Sequence, residues 1–318
     1  MHTPVKPGVT VRGAVSLPLA PPFSVGRTLA FLRSSSLRTP YRFIGPRRVR
    51  RLVRLDGRAW VVEFAFSSPG RRLRVGVVSR PARGRPGPVP SPSAPALRQL
   101  AAAVFCLGDD LRRCYAVLRG DPLMAGLLRR CAGLRMIRTA DLYEALLIAV
   151  IGQQVSVASA ESMRRRLMAA LGDRALIGGI TYLGYPSPRR LMAAAPRALR
   201  SLGLSRQKAR YVLEVAARAA AGALTPGAFT HLTDEEAIAR LTDIPGVGRW
   251  TAEIVLMRGL GRPDIFPAGD LGLQRAVQRA LGRADRPQED ELRALAERWK
   301  GWRSYGALYL WRSLGITA

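Results

Sequence analysis

Apolar positions change their spacing partway along the chain. In parts of the first eighty residues they recur roughly every second position. Val9–Leu17 and Trp60–Phe66 alternate as half-buried strands do. Leu73–Ser79 follows the latter across Ser67–Gly70, a Ser-Ser-Pro-Gly segment suited to a hairpin turn. Ser24–Ser34 is a short helical stretch. From Ala96 the spacing becomes helical. It predicts helices over Ala96–Phe105, Asp109–Leu118, Pro122–Arg130, Ala140–Val150, Ser156–Leu171, Pro188–Ala194, Pro196–Ser201, Arg206–Ala221, Asp234–Leu241, Arg249–Leu260, Asp270–Leu281, Pro287–Lys300 and Trp302–Leu314, with no strand among them. Between the two regions runs Arg80–Pro95, a proline-rich, semi-stiff connector. The expected architecture is α+β: an N-terminal α/β domain (1–80), a linker (81–95) and a helical region (96–318) large enough for a solid core.

One break between helices is more specific than the rest. Leu241–Ala252 reads LTDIPGVGRWTA. Asp234–Leu241 carries Ala237, Ile238 and Leu241 on one face, and Pro245, Gly246 and Gly248 end it. A second helix then starts near Arg249. Its first amides lack intrahelical partners, which suits a phosphate oxygen. Arg249–Leu260 is about 18 Å long at the usual rise. The loop 261–269 spans roughly 30 Å when extended, enough to bring the chain back to the hairpin. It delivers Asp270 to the start of the next helix, where the helix dipole favours a carboxylate. Asp is also a common N-cap, so the sequence leaves both readings of Asp270 open, and one residue can serve both.

Charge narrows the choice of partner. The formal net charge is +29, and residues 1–90 hold 18 Lys and Arg against 2 Asp and Glu. Both halves are basic, so a polyanion is the natural partner and duplex DNA the first choice. Codon bias accounts for 48 Arg against 3 Lys, but not for the scarcity of acids. Cys106, Cys114 and Cys131 have no CxxC spacing and no histidine nearby, which argues against a zinc site or an iron–sulfur cluster. They read as reduced thiols on helices. His2 and His231 have no triad partner in sequence. Apolar runs such as Leu146–Ile151 are too short to span a membrane, and no signal peptide opens the chain. A cytoplasmic, nucleoid-associated monomer is expected.

Several segments together resemble one family. Ile148–Ala158 (IAVIGQQVSVA) resembles the helix–loop–helix before the groove of AlkA-type 3-methyladenine DNA glycosylases, of the helix-hairpin-helix (HhH-GPD) superfamily. Ile265–Asp270 (IFPAGD) resembles their catalytic loop, and Ala296–Trp311 their C-terminal helices. Pro22–Leu32 resembles part of their N-terminal mixed β-sheet domain. The resemblance implies a two-lobed helical body, with lobes near 129–262 and near 96–128 plus 263–318. Asp270 would be the catalytic carboxylate, and Trp250 and Trp311 aromatic walls of a base pocket. Gln154 would fill the gap left by a flipped base. Pro245, Gly246, Val247, Gly248 and Arg249 would grip DNA. The carbonyls of Thr242, Ile244 and Val247 would hold a monovalent cation, Na or K, the one cofactor implied. Ile254 and Leu271 stand where some members place tyrosine, which leaves the preferred base open.

Taken alone, Trp250 and Trp311 could be core residues and Gln154 a polar loop residue. Arg206, Lys208 and Arg210 suit either a phosphate contact or a solvated helix face. In family members that also nick the strand, a lysine stands where this chain has Trp250. The only lysines are Lys6, Lys208 and Lys300. The function implied is excision of alkylated purines from damaged duplex DNA by hydrolysis, without lyase activity. A non-catalytic binder of damaged or bent DNA is the rival, and an enzyme for oxidised or deaminated bases the second.

Overall fold

The computed structural model describes residues 9–79 and 91–315. Most of the proposed linker, 80–90, lies outside the described residues. Five strands form one sheet: β1 (Thr10–Pro18), β2 (Tyr41–Gly45), β3 (Arg48–Leu55), β4 (Arg58–Phe66) and β5 (Arg72–Ser79), in the order β1-β5-β4-β3-β2. Every neighbouring pair is antiparallel, so the sheet is not mixed. Helix α1 (Val25–Ser34), capped by the Ser24 hydroxyl, packs Leu29, Phe31 and Leu32 into the core.

Strand β3 escapes apolar alternation for a physical reason. In β3 (RVRRLVRL), Arg50 and Arg51 are both buried, at 3% and 1% exposure. Arg50 pairs with Glu63 on β4, and Arg51 with Glu144 in the helical region. Buried charges of this kind need such partners, and the partners are remote in sequence. The expectation of helices alone after Ala96 also fails. Arg174–Ile177 (β6) and Ile180–Leu183 (β7) form an antiparallel hairpin through Gly178 and Gly179, with φ +59° and +77°. This hairpin lies on the sheet, where Tyr182 packs with Leu52, Val61 and Val78.

The helices are α2 (Ala94–Val104), α3 (Leu111–Leu118), α4 (Pro122–Cys131), α5 (Leu142–Gly152), α6 (Val157–Leu171), α7 (Pro188–Met192), α8 (Pro196–Ser201), α9 (Arg206–Ala220), α10 (Asp234–Thr242), α11 (Arg249–Val255), α12 (Leu271–Ala280), α13 (Glu289–Ala296) and α14 (Arg303–Ser313). A π turn, Leu256–Leu260, extends α11. Helix α5 is apolar nearly all round, as a central helix must be, and α9 and α11 pack on it. Helix α14 is buried from Ser304 to Trp311. One hydrophobic cluster runs from the sheet through these helices. All three cysteines are free and buried. Cys106 is not helical but sits in the turn after α2 at φ +46°, and burial pushes its thiol up to about 12. Among the described residues no helix is long and apolar enough to cross a membrane.

Candidate active site

The hairpin forms as the sequence predicts. Helix α10 opens with a capping box between Thr233 and Glu236 and ends before Pro245. Gly246 turns the chain at φ +85°, and a Cβ there would lie 2.2 Å from the Tyr211 ring. Both the backbone angle and the close approach therefore require glycine. Helix α11 starts at Arg249 with Gly248 as a cap that offers no side chain, so its first amides stay open. Pro245 and Gly248 are exposed at this turn, and Val247 is buried beneath it.

Asp270 caps α12, its Oδ1 accepting from the Leu273 amide at 2.9 Å. The same carboxylate accepts two indole N–H groups: Trp311 Nε1 to Oδ1 at 2.8 Å, and Trp250 Nε1 to Oδ2 at 3.2 Å. Asp270 is thus a cap and also the meeting point of three elements. Trp250 ties it to the hairpin helix and Trp311 ties it to α14. Oδ1 holds two donors and Oδ2 one, which leaves Oδ2 the freer acceptor. Asp270 and Trp250 are each partly exposed, and Leu271 beside them is 55% exposed.

The structure corrects one role. Trp311 is fully buried, so it offers no open wall to a base. It sits inside α14, with the Arg258 guanidinium 5.6 Å from its ring centroid. Burial lowers Arg258 to about 10, still above neutral pH, so a cation lies behind the indole. Trp311 supports Asp270; Trp250 keeps the half-open position expected of a wall. For Arg249, the backbone amide expected to face a phosphate is unaffected by what the side chain does. Its guanidinium is spent on Glu235, at 2.6 and 2.9 Å, and on Glu253 at 3.2 Å. Only its backbone amide is left for a phosphate.

Gln154 is exposed at φ +53°, a left-handed conformation uncommon for a side chain larger than glycine. Val155 and Val157 beside it are 39% and 60% exposed. Its neighbour Gln153, which the sequence does not single out, joins this loop to the hairpin. Gln153 Nε2 donates to the Gly246 carbonyl at 2.8 Å and to Thr251 Oγ1 at 3.0 Å. Lys208 completes the support, its Nζ donating to the carbonyls of Ile151 at 2.8 Å and Gln153 at 2.6 Å. Lys208 therefore caps α5, and partial burial lowers its pKa below the ordinary lysine value. Arg206 and Arg210 remain exposed. Gly272 is a further residue that the pattern misses. A Cβ there would lie 2.8 Å from Asp270 Oδ1 and 3.3 Å from Trp311 Cδ1. The available signal was a glycine in the first turn of a helix, where it lowers helix stability.

The Ile244 carbonyl accepts the Val247 amide at 2.9 Å, closing the hairpin turn. No backbone hydrogen bond reaches the Thr242 or Val247 carbonyl among the described residues.

A hairpin with open amides, an exposed loop braced against it and a carboxylate tied to its second helix make up the candidate site. The chain is similar to known proteins. Residues 147–301 match the HhH-GPD superfamily base excision DNA repair protein family. The DNA-3-methyladenine glycosylase 2 of Escherichia coli (strain K12) is 36% identical over 220 residues, 67% of this chain and 73% of that protein. The 3-methyladenine DNA glycosylase of Archaeoglobus fulgidus superposes with a TM-score of 0.78 at 28% identity, over 93% of this chain and 96% of that one. The Schizosaccharomyces pombe 3-methyladenine DNA glycosylase in complex with abasic DNA gives 0.57 at 26%, over 64% and 97%. The chain belongs to the HhH-GPD superfamily of base excision DNA repair proteins.

Proposed function

We propose that this protein is a monofunctional DNA glycosylase that flips alkylated purines such as 3-methyladenine out of duplex DNA, hydrolyses their glycosidic bond and leaves an abasic site. The observation that carries the reading is Asp270, partly exposed beside Trp250 and joined to it by a hydrogen bond. The names of the similar proteins support the lesion class.

A base in a duplex is out of reach of hydrolysis and must be rotated out, at a cost of a few kcal/mol. The open amides of the hairpin grip a phosphate and fix the register. Gln154 enters the gap. Trp250 offers an indole face, which attracts a cationic purine. An alkylated purine leaves readily, so no strong general acid is needed. Asp270 Oδ2 stabilises the developing oxocarbenium sugar, as carboxylates do in glycoside hydrolysis, and orients water. The Thr242 and Val247 carbonyls, with Ile244 closing the turn, suit a monovalent cation, which would add positive charge beside the phosphate.

Strand cleavage by a glycosylase needs an amine that forms a Schiff base with the sugar. Trp250 occupies the position where such a lysine would stand, and Lys208 is committed to two carbonyls. The test is incubation with methylated duplex DNA, followed by chromatography of released bases. Free 3-methyladenine and alkali-labile sites are expected, with no covalent complex trapped by borohydride. Tight binding without any released base would leave a non-catalytic damage binder. Robust trapping would refute the monofunctional reading.

A further inference from the structure

A groove of about 970 Å³, lined by none of the residues 242–251, runs between β2, α6 and the β6–β7 hairpin. On one side Arg38–Pro40 and then four consecutive residues of β2, Tyr41–Ile44, line it, and on the other Gly179 and the whole of β7, Ile180–Leu183. Consecutive residues of a strand point to opposite faces. A cavity that touches all of them follows the strand edge rather than one face of the sheet. Both edges are open. β2 ends the five-stranded sheet, and β7 has only β6 as a partner. The one described bond to β2 from outside its sheet is a long one, Arg33 Nη2 to the Gly45 carbonyl at 3.4 Å.

The chemistry around this edge is one-sided. Arg33, Arg38, Arg42 and Arg165 line the groove, and no acidic residue does. Arg38 and Arg165 share Glu161 outside the lining. Arg42 is exposed and has no acidic partner among the described residues. Between the arginines lie apolar surfaces from Phe43, Ile44, Met168 and Ile180. Thr39, in the same wall, has a hydroxyl with no hydrogen-bond partner among the described residues. Arg165 is eight residues along α6 from Val157, about 12 Å of helix rise from the end that carries the Gln154 loop.

We infer that this groove binds an acidic peptide segment of a partner protein, added as a strand to the β2 edge. An open edge is matched by another polypeptide backbone, whose N–H and C=O groups repeat at the same spacing. A nucleic acid has no such ladder. Alternate side chains of the added strand would meet the arginines and the apolar walls, so the fitting sequence alternates acidic and apolar residues. Charged residues on an edge also serve to prevent pairing, and the experiment separates the two roles.

A fluorescent eight-residue peptide of alternating glutamate and isoleucine is titrated into the full chain. A second peptide carries methyl groups on alternate backbone nitrogens, with its charge unchanged. Saturable one-to-one binding is expected, at least tenfold weaker for the methylated peptide and for Arg42→Glu. Hydrogen exchange of the amides in 41–45 should slow on binding, and Arg42→Glu should excise bases as the wild type does. Equal affinity for the two peptides would mean that charge alone holds them, and would overturn the inference. Absence of saturable binding would do the same, leaving the arginines as guards of the edge. If Arg42→Glu weakened duplex binding as much as peptide binding, the groove would belong to nucleic acid instead.

Discussion

Asp270 is held by three hydrogen bonds, and these decide how its amide isostere behaves. Asn caps helices well, so Asp270→Asn should fold. An amide offers one acceptor oxygen, however, and two indole N–H groups converge here. With the oxygen turned to Trp311 and Leu273, the amide nitrogen faces the Trp250 donor, and that bond is lost. The negative charge beside the sugar goes too, a term typically worth a few kcal/mol. Single-turnover excision should fall by about two orders of magnitude or more, with a modest drop in melting temperature. Full activity would reduce Asp270 to a cap. Gly272→Ala probes the same carboxylate from below. In most helix positions this change stabilises by roughly 0.5–1 kcal/mol. Here the new methyl group would crowd Asp270 Oδ1 and the Trp311 ring. Excision should drop about tenfold or more without the usual gain in melting temperature. A more stable, fully active variant would show that the carboxylate can shift freely.

At the scale of elements, the loop that carries Gln154 has no lattice of its own. It hangs from the C-terminus of α5 and is braced twice, by Lys208 from α9 and by Gln153 to the hairpin. Gln153→Ala should leave duplex affinity within a few-fold and slow base flipping, followed by 2-aminopurine fluorescence. A flipping rate unchanged from wild type would detach the loop from the hairpin mechanistically. Lys208→Met removes two donors from buried or half-buried carbonyls, at a cost of about 1–3 kcal/mol. The variant should melt lower by several degrees, and it should still release base without covalent trapping. The boundaries of α10, α11 and α12 follow directly from local signals: the Thr233 box, the Pro245–Gly248 break and the Asp270 cap. Strand β3 does not, because Arg50 and Arg51 become core residues only once Glu63 and Glu144 arrive from elsewhere. The β6–β7 hairpin, four residues per strand, acquires its reason from Leu52, Val61 and Val78 of the sheet it covers.

At the scale of the whole molecule, the charge of +29 predicts steep salt dependence of duplex binding. If six to ten phosphates are neutralised, affinity should fall by roughly 10³–10⁵ between about 50 and 200 mM salt. A flat profile in anisotropy titrations would mean that the arginines are spent internally. Many are: Arg50, Arg51, Arg249, Arg262, Arg293 and Arg303 all sit in ion pairs. What the sequence by itself determined is whatever depends on neighbours in the chain. That covers the change from strand to helix periodicity, the hairpin with its glycines, the cap at Asp270 and the absence of a lysine at position 250. What only the tertiary structure decided is whatever depends on partners far apart in the chain. Trp250 and Trp311 meet at one carboxylate across 20 and 41 residues. Packing in α14 turns Trp311 from a wall into a support, and Glu235 and Glu253 pair the Arg249 side chain. The physical reason is the same in each case. A side chain's role is set by the donors, acceptors and apolar surface that surround it. For these residues that surrounding comes from other elements and exists only in the folded chain.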